Sequence, residues 1–186
     1  VSSLLESIES IKKQNKPVQG DKAMSEDAIK DALNRIPYGF YSLTSRFEED
    51  VNAMVFNWFT QTSFTPRLVA VGLAKKAYTH GLINKGGVFA INIFNQEDQD
   101  SLTQFTKGRA KAPDKMEGAN YTPSPQTGCP ILEGAAAFLE CKVVQMVDVG
   151  GDHDILVGEV INAEILKPGE VEDTLTLPDL GWSYAG

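Results

Sequence analysis

The segment Asn57-Trp58-Phe59-Thr60-Gln61-Thr62-Ser63-Phe64-Thr65-Pro66-Arg67 gathers small hydrogen-bonding side chains between two apolar runs, Met54 to Phe59 and Leu68 to Leu73. Hydroxyls and amides at this density suit a polar ligand with several acceptors. The same groups also close turns on their own backbone, so a plain connection is the competing reading. Pro66 forces an extended or turned shape on the loop. Shortly after it, Lys75, Lys76 and Thr79 stand at the start of a short helical pattern. Charge and free amides there can hold a phosphate, although a solvated lysine pair would look the same.

Other reactive chemistry is sparse. The chain has two histidines, His80 and His153, and two cysteines, Cys129 and Cys141. They form no zinc spacing, and neither a Gly-x-Ser-x-Gly elbow nor a phosphate-binding glycine loop occurs. What remains is chemistry performed by a cofactor that the protein positions. Hydride transfer from a nicotinamide to a flavin needs two stacked rings and excluded water. It also needs donors near the flavin N1 and C2 carbonyl, where negative charge develops. Asn57, Gln61 and Thr62 can supply such donors.

The elements that would position these groups are mostly strands. Phe40 to Phe47, Met54 to Phe59, Leu68 to Leu73, Val88 to Phe94, Ala135 to Val149 and Asp154 to Leu166 read as β, and the near-continuous run at Val88 marks a central strand. Gly150-Gly151-Asp152-His153 predicts a hairpin. Helical patterns fall at Leu4 to Ile11, at Ala28 to Ile36 capped by Ser25, at Lys75 to Ile83, and after Asn95 through Leu102 and Phe105. Residues 109–125 read as a long polar loop, and 174–186 as a tail holding Trp182 and Tyr184. Without a repeated strand–helix alternation or a glycine fingerprint, a closed or partly closed antiparallel barrel is a better fit than a Rossmann sheet.

Composition bounds the rest. The chain has 186 residues, enough for one good core, with 42% hydrophobic and 23% charged residues. Lys and Arg total 17 against 25 Asp and Glu, a net charge of −8, which argues against nucleic-acid binding. No run reaches a membrane-spanning length, and two scattered cysteines fit a cytoplasmic protein with reduced thiols.

The residues above also carry a resemblance. Asn57 to Pro66 resembles the flavin loop of flavin-reductase-like split barrels. Phe89-Ala90-Ile91-Asn92-Ile93-Phe94, Gly128-Cys129-Pro130-Ile131-Leu132, Leu139-Glu140-Cys141 and Gly151-Asp152-His153 resemble further segments of that family in the same order. The similarity is strongest to the C-terminal flavin-reductase domain of cyanobacterial diflavin flavodiiron proteins. It implies a mainly β fold, a split antiparallel β-barrel with short helices. It implies that residues 1–24 are a linker and helix leaving a flavodoxin-like domain, and that 25–186 are the flavin-reductase-like domain. It further implies FMN as cofactor, NADH or NADPH as hydride donor, and a homodimer. Flavodoxin-like and di-iron domains would belong to the same full-length chain, the di-iron centre reducing oxygen to water.

On this resemblance Asn57, Trp58, Phe59, Thr60, Gln61, Thr62 and Ser63 would line the flavin, with Thr62 and Ser63 at the phosphate or ribityl hydroxyls. Lys75, Lys76 and Thr79 would hold the phosphate. His153 would steer the nicotinamide, or else be a plain surface hairpin residue. Asn92 interrupts an apolar strand and needs a partner, which is either backbone or flavin. Two departures stand out. Arg67 replaces a proline common in relatives and offers a cation to the phosphate. Asp154 replaces an aromatic residue and adds negative charge where a nicotinamide phosphate approaches.

Overall fold

The structure, a computed structural model, describes residues 25–183. They fall into two units, one ending at Ile36 and one spanning Pro37–Ser183. In the first, α1 (Glu26–Leu33) starts at Ser25, whose hydroxyl accepts from the Ala28 N–H at 3.1 Å, and Glu26 and Asp27 complement the helix dipole. The expected helix over Leu4 to Ile11 lies outside the described residues.

The second unit is a seven-stranded antiparallel sheet. Its strands are β1 (Tyr41–Phe47), β2 (Asp50–Phe56), β3 (Phe59–Ser63), β4 (Leu68–Ala74), β5 (Val88–Ile93), β8 (Ala137–Asp148) and β9 (His153–Ile165). They run in the order β2-β1-β5-β8-β9-β4-β3. The two outermost strands are therefore consecutive in sequence, joined only by Asn57 and Trp58. So short a link can hold them only if the sheet curls until its edges meet. Aromatic contacts span the seam: Phe59 lies 5.3 Å from Tyr41 and 6.2 Å from Phe56 between ring centroids.

The expected loop from Thr60 to Ser63 is a correction: those residues form β3, an edge strand paired only with β4. Only Phe64 to Arg67 form the turn. Thr60, Gln61 and Thr62 are exposed on the strand, so their polarity erased the alternation that marks a half-buried strand.

Two cores lie on opposite faces of the sheet. Leu43, Phe56, Val71, Leu73, Phe89, Ile91 and Leu156 fill the barrel. Phe40, Phe94, Leu102, Phe105, Ile131, Phe138 and Leu175 form the other cluster. Burial on both faces explains the uninterrupted apolar run of β5. The outer cluster is covered partly by a 3-10 helix, Gln96–Phe105, where an α-helix was expected. It is covered also by β7 (Pro130–Leu132), which pairs with β6 (Tyr121–Pro123) inside the expected long loop. Trp182, expected in a loose tail, packs edge-on against Phe40 at 5.6 Å. The helix expected over Lys75 to Ile83 is α2 (Tyr78–Gly86), shifted later because Gly87, at φ 66°, supplies its left-handed cap. Among the described residues no helix is long and apolar enough to cross a membrane.

Candidate functional site

The seam of the barrel brings Asn57, Trp58 and His153 to one corner. Gly72 N–H donates to the Trp58 carbonyl at 2.9 Å, which fixes that pair as a hydrogen-bonded rung of the β3–β4 ladder. By alternation, Gln61 turns its backbone groups towards the open edge, whereas the Phe59 N–H is taken by the Asn57 carbonyl at 3.1 Å. Gly72 is needed at the seam, since a Cβ there would stand 2.8 Å from the Trp58 ring. Trp58 in turn packs on His153, their ring centroids 4.7 Å apart and tilted by 55°. The hairpin between β8 and β9 carries His153 to this place, and Gly150 (φ 86°) makes its turn.

Asn57 sits beside Trp58, and its side-chain amide nitrogen is buried with no hydrogen-bond partner among the described residues. A buried donor left without an acceptor is costly, so this position suits a ligand acceptor. Thr60 and Gln61 bond only locally, through a 3.3 Å contact to the Gln61 carbonyl and a 3.1 Å contact to the Ser63 carbonyl. The exposed Arg67 lies in the adjoining turn.

Three expected phosphate or flavin contacts have internal partners instead. Lys75 pairs with Asp148 at 2.6 Å and lies 3.6 Å from Asp154. The hydrogen bond to Asp148 raises the Lys75 pKa and lowers that of Asp148. Thr79 is buried and accepts from Asn52 at 2.7 Å, tying α2 to β2. Asn92 accepts from the Leu132 N–H at 2.8 Å and donates to the Pro130 carbonyl at 3.3 Å and the Thr44 hydroxyl at 3.4 Å. It thus stitches β7 onto the barrel. Lys76 remains exposed beside the start of α2, where Ala77 provides no side-chain cap. Thr62 and Ser63 lie at the opposite end of β4 from Lys76, about 20 Å away by strand rise. The two sets cannot grip one phosphate.

Asp154 is a further correction. It is 7% exposed, and its carboxylate is taken by His80 at 2.7 Å and Lys75 at 3.6 Å, so it adds little charge towards solvent. The acids that do reach solvent are Asp148 and Asp152, 67% and 94% exposed in their side chains. Asp152 bonds His153 at 2.8 Å, which holds its carboxyl below the usual range. His80 had no role in the sequence reading. The His80/Asn84 spacing of one helical turn was its only local signal.

A cleft of about 560 Å3 lies elsewhere, lined by Asp98, Ser101, Phe105, Asn120, Glu133 and Lys167. It opens past the end of β9 opposite to His153. Lys167 is neutralised there by Asp98 at 2.7 Å, leaving a lining poorly suited to a phosphate. The open edge of β3 fits an anionic, acceptor-rich ring ligand better than this cleft.

The sequence pattern of the flavin reductase like domain matches residues 33–179. The chain belongs to the flavin-reductase-like domain family. It is 30% identical over 155 residues to putative diflavin flavoprotein A 3 of Nostoc sp., covering 83% of this chain and 26% of that protein. It is 32% identical over 143 residues to a ferric-chelate reductase (NAD(P)H) of Archaeoglobus fulgidus, covering 76% and 83%. The fold is similar to that of an FMN-binding protein from Thermus thermophilus, with a TM-score of 0.64, 28% identity, and coverage of 81% and 77%. The chain spans about a quarter of the length of the diflavin flavoproteins it matches. Membership carries the coarse reading of a flavin-binding domain of the oxidoreductase class. The seam fits that reading through the open rung of β3, the orphaned Asn57 donor and the Trp58–His153 pair.

Proposed function

We propose that this chain is an NAD(P)H:flavin oxidoreductase module whose FMN lies along the β3 edge. Bound FMN supplies the chemistry by accepting a hydride and passing electrons onward one at a time. Asn57, Gln61 and Thr62, with the outward amide of Gln61, hold the ring and its carbonyls. Thr60 and Ser63 hold the hydroxylated chain, and Arg67 in the adjoining turn takes its phosphate. Trp58 and His153 form the wall against which the nicotinamide is placed and from which water is excluded. The observation that carries this reading is the unpaired β3 edge, rich in donors, ending at the Trp58–His153 pair.

The similarity to diflavin flavoproteins supports a place within a longer electron-transfer chain. In that arrangement residues 1–24 join a flavodoxin-like domain to the module at 25–186. Electrons pass through FMN towards a di-iron centre that reduces oxygen to water, in a cytoplasmic homodimer. Anaerobic titration of the FMN-loaded chain with NADH and NADPH tests the activity. Rapid bleaching of the flavin absorption supports it. The exposed Asp148 and Asp152 beside His153 favour a second reading, a flavin-holding electron-transfer or dimerising module that does not itself oxidise nicotinamides. A yellow chain that neither nucleotide bleaches would establish that one.

A further inference from the structure

We propose that Asp154 and His80 are positioning residues, which clamp the β8–β9 hairpin to α2 and thereby set His153 against Trp58. The proposal deepens the functional reading above, in that the positioned pair is the nicotinamide wall. Asp154 follows His153 directly in β9 and faces inward, away from solvent. One carboxylate oxygen meets His80 Nε2 at 2.7 Å, and the other lies 3.6 Å from Lys75 Nζ. Asn84, one turn further along α2, lies 3.1 Å from His80 Nδ1 through its side-chain nitrogen. An amide nitrogen only donates, so Nδ1 accepts and the proton sits on Nε2, directed at Asp154.

Lys75 closes the clamp from the other side. Its ammonium binds Asp148 of β8 at 2.6 Å, and its backbone N–H donates to the Asp152 carbonyl at 3.0 Å. Asp148 also accepts from the Gly150 N–H at 2.7 Å, fixing the turn itself. Both strands of the hairpin and its turn are thus tied to one short stretch, residues 75–84. A hairpin tip is otherwise among the more mobile parts of a fold. Here the mobile end carries His153, whose contact with Trp58 depends on where the hairpin rests. The charged and titratable groups around the clamp are His80, Lys75, Asp148, Asp152 and His153.

The test reads the ring pair directly, without flavin. In the NMR spectrum of the flavin-free chain, the His153 ring protons carry a ring-current shift from Trp58, calibrated by Trp58→Leu. His80→Leu is expected to abolish that shift and to speed amide exchange in residues 148–154. His80→Gln, whose amide nitrogen still reaches Asp154, is expected to keep both. In the FMN-loaded chain, His80→Leu is expected to raise the KM for NADH about tenfold with a smaller change in kcat, the scale of one lost charge-assisted hydrogen bond. Asp154→Ala, which leaves His80 Nε2–H without its acceptor, provides a second variant should His80→Leu not fold. An unchanged ring-current shift in whichever of the two folds overturns the proposal, as does a lost shift with an unaltered KM. A wild-type chain inert to both NADH and NADPH would instead refute the functional reading and leave the ring-current result to decide whether the clamp exists.

Discussion

At the scale of single residues, Glu140 shows how a buried charge can be made structural. It is fully buried in β8, and its carboxylate accepts from the Gln126 and Thr127 N–H groups, the Thr127 hydroxyl and Asn162. Burial alone would raise its pKa, but the hydrogen bonds from Asn162, Ser124 and Thr127 outweigh that and hold it below the usual value. Glu140→Leu is expected to cost about 3–5 kcal/mol in urea unfolding, because two backbone amides and two side chains lose their acceptor. A carboxyl with a depressed folded-state pKa stabilises above its unfolded value of about 4.3 and loses that contribution as pH falls through the folded value. The advantage of wild type over Glu140→Gln should therefore shrink on acidification below that range, measured by the urea midpoint. Gly72 makes the opposite kind of test. Gly72→Ala puts a methyl group 2.8 Å from Trp58, so a changed tryptophan emission and an FMN affinity weaker by about 1–2 kcal/mol are expected.

At the scale of elements, the strands with buried alternating or continuous apolar faces were legible in the sequence, and those held by side chains from elsewhere were not. β5 and the β8–β9 hairpin announced themselves through apolar runs and a Gly-Gly-Asp turn. β7 has three residues and begins with proline, so nothing local marks it. It exists because Asn92 and Thr44 supply the partners that a neighbouring strand would otherwise give. The same distance in sequence hid the fates of Lys75 and Thr79, whose partners Asp148 and Asn52 lie 73 and 27 residues away. Motif likeness located the corner at Trp58 and His153 but could not tell which polar groups there were already satisfied. Asn92→Leu separates the two roles considered for that residue. It is expected to lower stability by about 1–3 kcal/mol, through the unpaired Leu132 amide, while leaving FMN affinity unchanged by fluorescence titration. A large loss of affinity in a stably folded variant would return Asn92 to the flavin site.

At the scale of the whole molecule, the barrel closes by placing consecutive strands at opposite sheet edges, and the proposed site lies where that closure is imperfect. The interior on either side is well packed, and Cys129 and Cys141 are both buried there. Burial pushes their thiols up to about 11 and about 12. Neither should react with a thiol reagent at neutral pH until the fold opens, so labelling rates in rising urea should track global unfolding. The seam is different: Gln61 turns its backbone groups outwards along β3, and the Asn57 amide nitrogen has no partner among the described residues. The most direct measurement of the account is an NMR titration of the isotopically labelled chain with FMN, following each backbone amide. The account predicts shifts concentrated at Asn57 to Arg67 and His153. Shifts centred on the cleft of Asp98, Glu133 and Lys167, with the β3 edge unmoved, would contradict it.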